Sequence, residues 1–189
     1  EGVDLMPANI ELAGLEVSLV NAMSRESVLK QYLSTVENNY DFIILDCMPS
    51  LGMMTINALV AADSVIIPSQ PNFLSTKGLD LLLHSIGKIK RTVNKELKLD
   101  GIVLTMVDNR TNNARNIIAE LREGVGEKLR VFNTEIPFSV RATECSNDGV
   151  SIYTHDPRGK VSEAYQSLIK EVTNLEERNQ NRSWADRVR

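Results

Sequence analysis

Three short apolar runs, FIIL at 42–45, VII at 65–67 and IVL at 102–104, lack the alternation of polar and apolar residues that marks a strand with one wet face. Runs of this kind belong to strands buried on both sides, as in a parallel sheet covered by helices. Between them the apolar residues recur at spacings of three and four, the period of a helix packed on one face. The chain therefore reads as α/β, a mostly parallel sheet with helices on both faces.

In chain order, a short strand is expected at 3–6, then a helix at 24–38 with Ser24 as its N-cap and Val28, Leu29, Tyr32, Leu33 and Val36 on one face. The strand DFIIL follows, then a loop through Pro49 and Gly52, a helix at 53–62 and a strand at 64–68. A long helix is expected at 76–94, where Leu79, Leu82, Leu83, Ile86, Ile89 and Val93 share a face. Next come a strand at 101–107, the polar loop DNRTNN, a helix burying Ile117, Ile118 and Leu121, and a strand at 131–136 that ends at Pro137. A docking helix at 160–175 carries an apolar stripe from Val161 through Leu168 to Leu175. Residues 176–189, EERNQNRSWADRVR, read as a polar extension, frayed or disordered, with Trp184 as its only large apolar anchor. The organisation is thus one domain over 1–175 and an extension over 176–189.

With 189 residues and 42% hydrophobic content the chain can bury one substantial core but not comfortably two. A formal charge of −4 argues against a surface given over to phosphate contacts, yet the charge is uneven. Residues 1–46 hold eight acidic and two basic side chains, whereas 77–98 hold six basic and two acidic. Lys88, Lys90, Arg91 and Lys95 of the long helix are either an ordinary solvated face or a supplementary nucleic-acid patch. Cys47 and Cys145 offer neither a disulfide framework nor zinc-ligand spacing, His84 and His155 have no partners at metal-ligand spacing, and the cytosol is the expected compartment. No apolar stretch approaches the roughly 20 residues needed to span a bilayer, and the acidic opening EGVDLMP lacks the regions of a signal peptide. Lacking an initiator Met, that opening reads as a cleavage or expression boundary rather than the natural start.

Ligands of parallel sheets gather at the carboxyl ends of the strands, so the loops after Leu45, Ile67, Val107 and Ile136 are the candidate site. The first begins with Asp46. A carboxylate there is either a turn former or helix cap, or the group that orients a magnesium ion beside a nucleotide.

The stretch YDFIILDCMPSLGMMTINALVAADSVIIPSQPNFLSTKGLDLLLHSI closely resembles the corresponding region of the ParA/Soj partition ATPases, P-loop NTPases with a deviant Walker A motif. The resemblance continues upstream in PANIELAGLEVSLVNAMSRESVLKQYL and downstream through DGIVLTMVDNRTN, IPFSVRATE and DPRGKVSEAYQSLIKEV, covering nearly everything but the extension. It implies ATP and Mg²⁺ as cofactors, a homodimer, non-specific DNA and a ParB-like centromere-binding protein as partners, no membrane, and a place on the nucleoid in the bacterial cytoplasm. Asp46 matches the Walker B aspartate, which contacts magnesium through water, and Pro49, Ser50 and Gly52 match the second switch. Asp108, Pro137 and Phe138 match segments around the adenine, and Arg110 and Arg141 match arginines of sequence-independent DNA binding.

The chain departs from the family pattern at Met48, where relatives have proline, and at Phe138, where relatives often have arginine. No GxxxxGK[ST] or KGGxGK[ST] loop occurs in the sequence; in this family it lies upstream of the position matching Glu1. The expectation is therefore the carboxyl-terminal two-thirds of a ParA-like ATPase, unable by itself to hydrolyse ATP. A MinD-like membrane-cycling ATPase and a non-enzymatic DNA-binding or interaction module are the alternatives.

Overall fold

The computed structural model describes residues 2–48, 52–124 and 129–187. They form two compact units, one from residues 1–64 and 81–98, the other from residues 65–80 and 99–189.

The first unit is built around α3, Met53–Ala61, preceded by α1, Glu11–Leu19, a 3-10 turn at Arg25–Ser27 and α2, Val28–Leu33. Nearly all of α3 is apolar or small, and Ala58, Leu59 and Val60 are buried. The exception is Asn57, 1% exposed, whose carboxamide organises the unit. Its Oδ1 accepts from the Leu29 backbone N–H at 3.1 Å, and its Nδ2 donates to the carbonyls of Arg25 at 2.8 Å and Met53 at 3.0 Å. A buried amide is tolerated because every partner is present. A second asparagine, Asn94, closes the other end of α3 by donating to the carbonyls of Leu59, Val60 and Ala62, which the helix itself leaves unpaired.

The second unit contains a parallel three-stranded sheet in the order β1, Ser64–Ser69; β2, Lys98–Val107; β3, Val131–Pro137. The register of β2 on β3 pairs Ile102 with Val131 and Val107 with Pro137. Gly101, with φ of 149°, lets the strands meet: a Cβ there would lie 2.7 Å from the Arg130 carbonyl oxygen, which accepts the Ile102 N–H. The helices are α4, Phe73–Thr92, which enters both units; α5, Asn112–Gly124; α6, Val140–Asp148; α7, Ile152–His155; and α8, Lys160–Arg187. Val103, Phe132, Ile136 and Val161 make one core cluster, with Ile66, Ala142, Ile152, Ala164, Leu168 and Val172 packed against it. α8 docks on β3, and the Glu171 carboxylate accepts the backbone N–H groups of Asn133 at 3.0 Å and Thr134 at 3.1 Å.

Several expectations are corrected. Residues 42–45 are not a strand: they pair with no other strand among the described residues, and Phe42 and Ile44 are 60% and 89% exposed. An apolar run becomes a strand only where neighbours take up its backbone groups and cover its faces. For the same reason residues 3–6 form no strand, with Val3, Leu5 and Met6 exposed. The expected helix at 24–38 is broken into the 3-10 turn, α2 and a further 3-10 turn at Glu37–Asn39. Ser24, left-handed at φ 53°, makes no side-chain cap, and the hydroxyls of Ser34 and Thr35 bond back to the carbonyls of Gln31 and Tyr32 where α2 stops.

The helix expected at 160–175 runs on to Arg187 instead of fraying. Glu, Arg and Gln are good helix formers, and extending a helix already nucleated by docking costs little. Within the stripe Val161 is buried, but Tyr165 and Ile169 are 40% and 54% exposed. α1, α6 and α7 carry no expectation from periodicity.

Candidate functional site

In the first unit Asp46 lies exposed in a segment without regular structure rather than at the mouth of a buried strand. It makes no hydrogen bond or ion pair with any described residue. Its neighbour Cys47 donates weakly to the Leu45 carbonyl, Sγ to O 3.6 Å. Loss of hydration at the sulfur, and then the charge of Asp46, push that thiol's pKa up and make it a poor nucleophile. Pro49 and Ser50 lie outside the described residues. Gly52 is the N-cap residue of α3 in extended backbone and makes no side-chain cap. In its place the Glu16 carboxylate of α1 accepts the Met53 N–H at 2.7 Å and lies against Gly52 where a Cβ would collide. An anion at a helix N-terminus answers both the unpaired N–H groups and the dipole. Nothing in the sequence around Glu16 signals this contact, which joins residues 37 positions apart.

A magnesium ion that works beside phosphates keeps several waters and needs only one or two carboxylates from the protein. Asp46, exposed and without a partner among the described residues, has the donor chemistry for that single contact. Among the described residues no three His, Cys, Asp or Glu side chains cluster in a way that could hold a metal on their own.

In the second unit the ends of β2 and β3 bring Asp108, Pro137 and Phe138 together. Val107 is in register with Pro137, and the Phe138 N–H donates to the Val107 carbonyl at 3.1 Å, so both chains leave the sheet side by side. The register slips between Leu104 and Val107. Met106, in that slip, has φ of 52°, a left-handed conformation unfavourable for a side chain of its size. Gln70, just after β1, donates to the Met106 sulfur at 3.1 Å. Pro137 is partly covered, and Phe138 is half exposed.

Asp108 closes the turn into α5. Its Oδ1 accepts the Arg110 backbone N–H at 3.1 Å and Arg110 Nε at 2.8 Å, while Oδ2 accepts Nη2 at 2.7 Å. The Arg110 side-chain hydrogen bonds, then its backbone N–H, hold the Asp108 carboxyl down at about 2. The Arg110 side chain is nonetheless 85% exposed. Arg141, in the first turn of α6, lies 3.0 Å from an Asp156 oxygen and is 63% exposed. Val107 and Pro137 being paired, Arg110 and Arg141 follow the ends of adjacent parallel strands by three and four residues. His155 bridges Glu144 and Asp148, and Cys145 is buried against the Arg141 carbonyl. No helix among the described residues is long and apolar enough to cross a membrane.

A family model described as an AAA domain matches residues 1–99. Over 172 residues, 91% of this chain, the sequence is 44% identical to the sporulation initiation inhibitor protein Soj of Bacillus subtilis. It is 42% identical over 170 residues to the chromosome partitioning protein ParA of Myxococcus xanthus, covering 90% of this chain. The crystal structure of cobyrinic acid a,c-diamide synthase from Mycobacterium smegmatis, with a bound ATP analogue and magnesium, superposes at a TM-score of 0.66. It is 37% identical and matches 70% of this chain and 54% of its own. The chain spans 67% of the length of Soj and 59% of that of ParA. Taken with the parallel sheet, these likenesses place the chain in the ParA/Soj family of partition ATPases, whose structural neighbours bind ATP and Mg²⁺.

Proposed function

We propose that this chain works within an ATP-driven DNA partition protein, in which an ATP-bound dimer holds DNA without reading its sequence and a ParB-like partner triggers release. The observation that carries the DNA part is the placement of Arg110 and Arg141 beyond paired strand ends, both more than half exposed. Arginines so placed bring positive charge and their remaining N–H donors to phosphate oxygens, giving affinity without base contacts. The chain's similarity to Soj and ParA supports the partition role. The bacterial cytoplasm, on the nucleoid, is the compartment this role requires.

For the nucleotide, Asp46 is the residue that would hold magnesium, through water. A bound Mg·ATP supplies the phosphoryl bond whose cleavage resets the dimer. Gly52 and α3 form the segment beside it, tied to α1 through Glu16. The paired ends of β2 and β3, at Asp108, Pro137 and Phe138, offer backbone groups and an exposed ring to the adenine. Such a site needs a row of backbone amides and a lysine, and neither GxxxxGK[ST] nor KGGxGK[ST], the motifs that supply them, occurs in this 189-residue chain. We therefore propose that it does not hydrolyse ATP on its own.

DNA retention by the intact, ATP-bound partition protein that contains this chain, compared between the unsubstituted form and its Arg110→Ala and Arg141→Ala variants across a salt series, tests the reading. Each substitution is expected to weaken binding to all sequences alike and to reduce the slope of log affinity against log salt by about 1. Unchanged affinity and slope in both would remove the DNA assignment.

A further inference from the structure

Arg110 and Arg141 are held in different ways. Arg110 turns Nε and Nη2 onto the two oxygens of Asp108, so its bidentate face is taken. Arg141 meets Asp156 through Nη1 alone, leaving Nε and Nη2 without a partner on the described chain.

Asp156 is the fixed member of that pair, its side chain only 20% exposed. Its N–H donates to the Ile152 carbonyl at 2.8 Å, and its own carbonyl accepts the Gly159 N–H at 3.0 Å. The same carbonyl accepts the hydroxyl of Ser162, a residue with no exposed surface, at 2.6 Å. Gly159 gives the Asp156 carboxylate its room, since a Cβ there would strike the carboxylate. The turn DPRG is thus closed on several sides at the start of α8, which fixes the backbone that carries the carboxylate.

We infer that Asp156 is a positioning residue for phosphate binding by Arg141: it anchors one corner of the guanidinium and leaves the other donors free for a phosphodiester. The inference rests on the proposed DNA role of Arg141. A long, mobile side chain loses rotamer freedom when it binds, and an internal anchor meets part of that loss in advance. A carboxylate can instead mask an arginine. Here the covered partner is the carboxylate and the exposed one the guanidinium, which is the arrangement of a splint.

The test is binding of a random-sequence duplex by the intact, ATP-bound partition protein that contains this chain, over a salt series, with thermal melts alongside. The forms compared are the parent, Arg141→Ala, Asp156→Ala, Asp156→Asn and the double alanine variant. Arg141→Ala sets the scale by lowering the salt slope by about 1. Asp156→Ala is expected to weaken binding up to roughly fivefold and to lower the slope in the same direction, with the double variant no worse than Arg141→Ala alone. Asp156→Asn, which keeps size and an acceptor oxygen, should fall between, and it carries the test if the alanine variant does not fold.

Tighter binding in either Asp156 variant would show a mask rather than a splint. Parent-like binding and slope in Asp156→Ala or Asp156→Asn, alongside weakened Arg141→Ala, would likewise overturn the inference. An unchanged Arg141→Ala strikes the DNA reading of Arg141 itself, and the inference with it.

Discussion

Asp108 and Arg110 are legible in the sequence as a turn after a strand, but their pairing is not, because a side chain two residues away can face its neighbour or turn to solvent at little cost. The pair has a pH signature. The carboxyl sits at about 2 in the folded protein, below an unperturbed value of about 3.9, so its contribution to stability is present above that unfolded value and fades as pH falls toward 2. A carboxyl-carbon NMR titration should show this depressed midpoint, and Arg110→Ala should return it toward the ordinary range; no movement would mean that the guanidinium is not its cause. Asn57 makes the opposite case, since a polar residue within the apolar helix MMTINALVA is conspicuous in sequence while its partners are not. Truncation to alanine leaves the Leu29 N–H and the Arg25 carbonyl to find other partners, and a cost of about 1–3 kcal/mol is expected from urea unfolding. The role of Glu16 leaves no trace in the sequence for a related reason: capping from another helix has no local spacing.

Among elements, the strands that survive are those with neighbours. VII and IVL fold as expected into β1 and β2, whereas FIIL, equally apolar, does not, so apolarity decides burial only where the sheet can receive it. Helix ends are less legible in the sequence than helix existence, because α2 and α4 stop where Ser34, Thr35 and Asn94 engage backbone carbonyls, a contact that periodicity does not encode. In β3, Phe132 has no exposed surface and is stacked by the Arg130 guanidinium, 5.2 Å from the ring centre. Phe132→Ala is expected to cost about 3–5 kcal/mol, and a loss under 1 kcal/mol in denaturant titration would contradict the core as described. The extension carries no such weight: removing residues 176–189, whose sequence offers one large apolar side chain, should change stability by less than about 0.5 kcal/mol while reducing the helical circular-dichroism signal.

At the scale of the whole molecule, the exposed segment FIILDCM joins the two questions that matter most, association and activity. Phe42, Ile43 and Ile44 expose 60%, 39% and 89% of their surface, and a run that pairs with no strand among the described residues also leaves backbone N–H and C=O groups to be taken up. Such a run has the means to pair with a second copy through the same edge, and its side chains gain from leaving water at roughly 25 cal/mol for each Å² buried. The 189-residue chain by itself should therefore show a mass by light scattering that rises with concentration, and Phe42→Lys with Ile44→Lys should hold it at the monomer. The same double variant separates this association from the nucleotide-driven dimer of the proposed function, because it leaves Asp46, Arg110 and Arg141 in place. If the lysine variant still self-associates while the isolated chain shows no magnesium-dependent ATP turnover, another surface is responsible and the segment's exposure has no bearing on assembly. Turnover that vanishes in Asp46→Ala would contradict the proposal that this chain cannot hydrolyse ATP alone, since without phosphate-binding amides a single carboxylate has no triphosphate to act on.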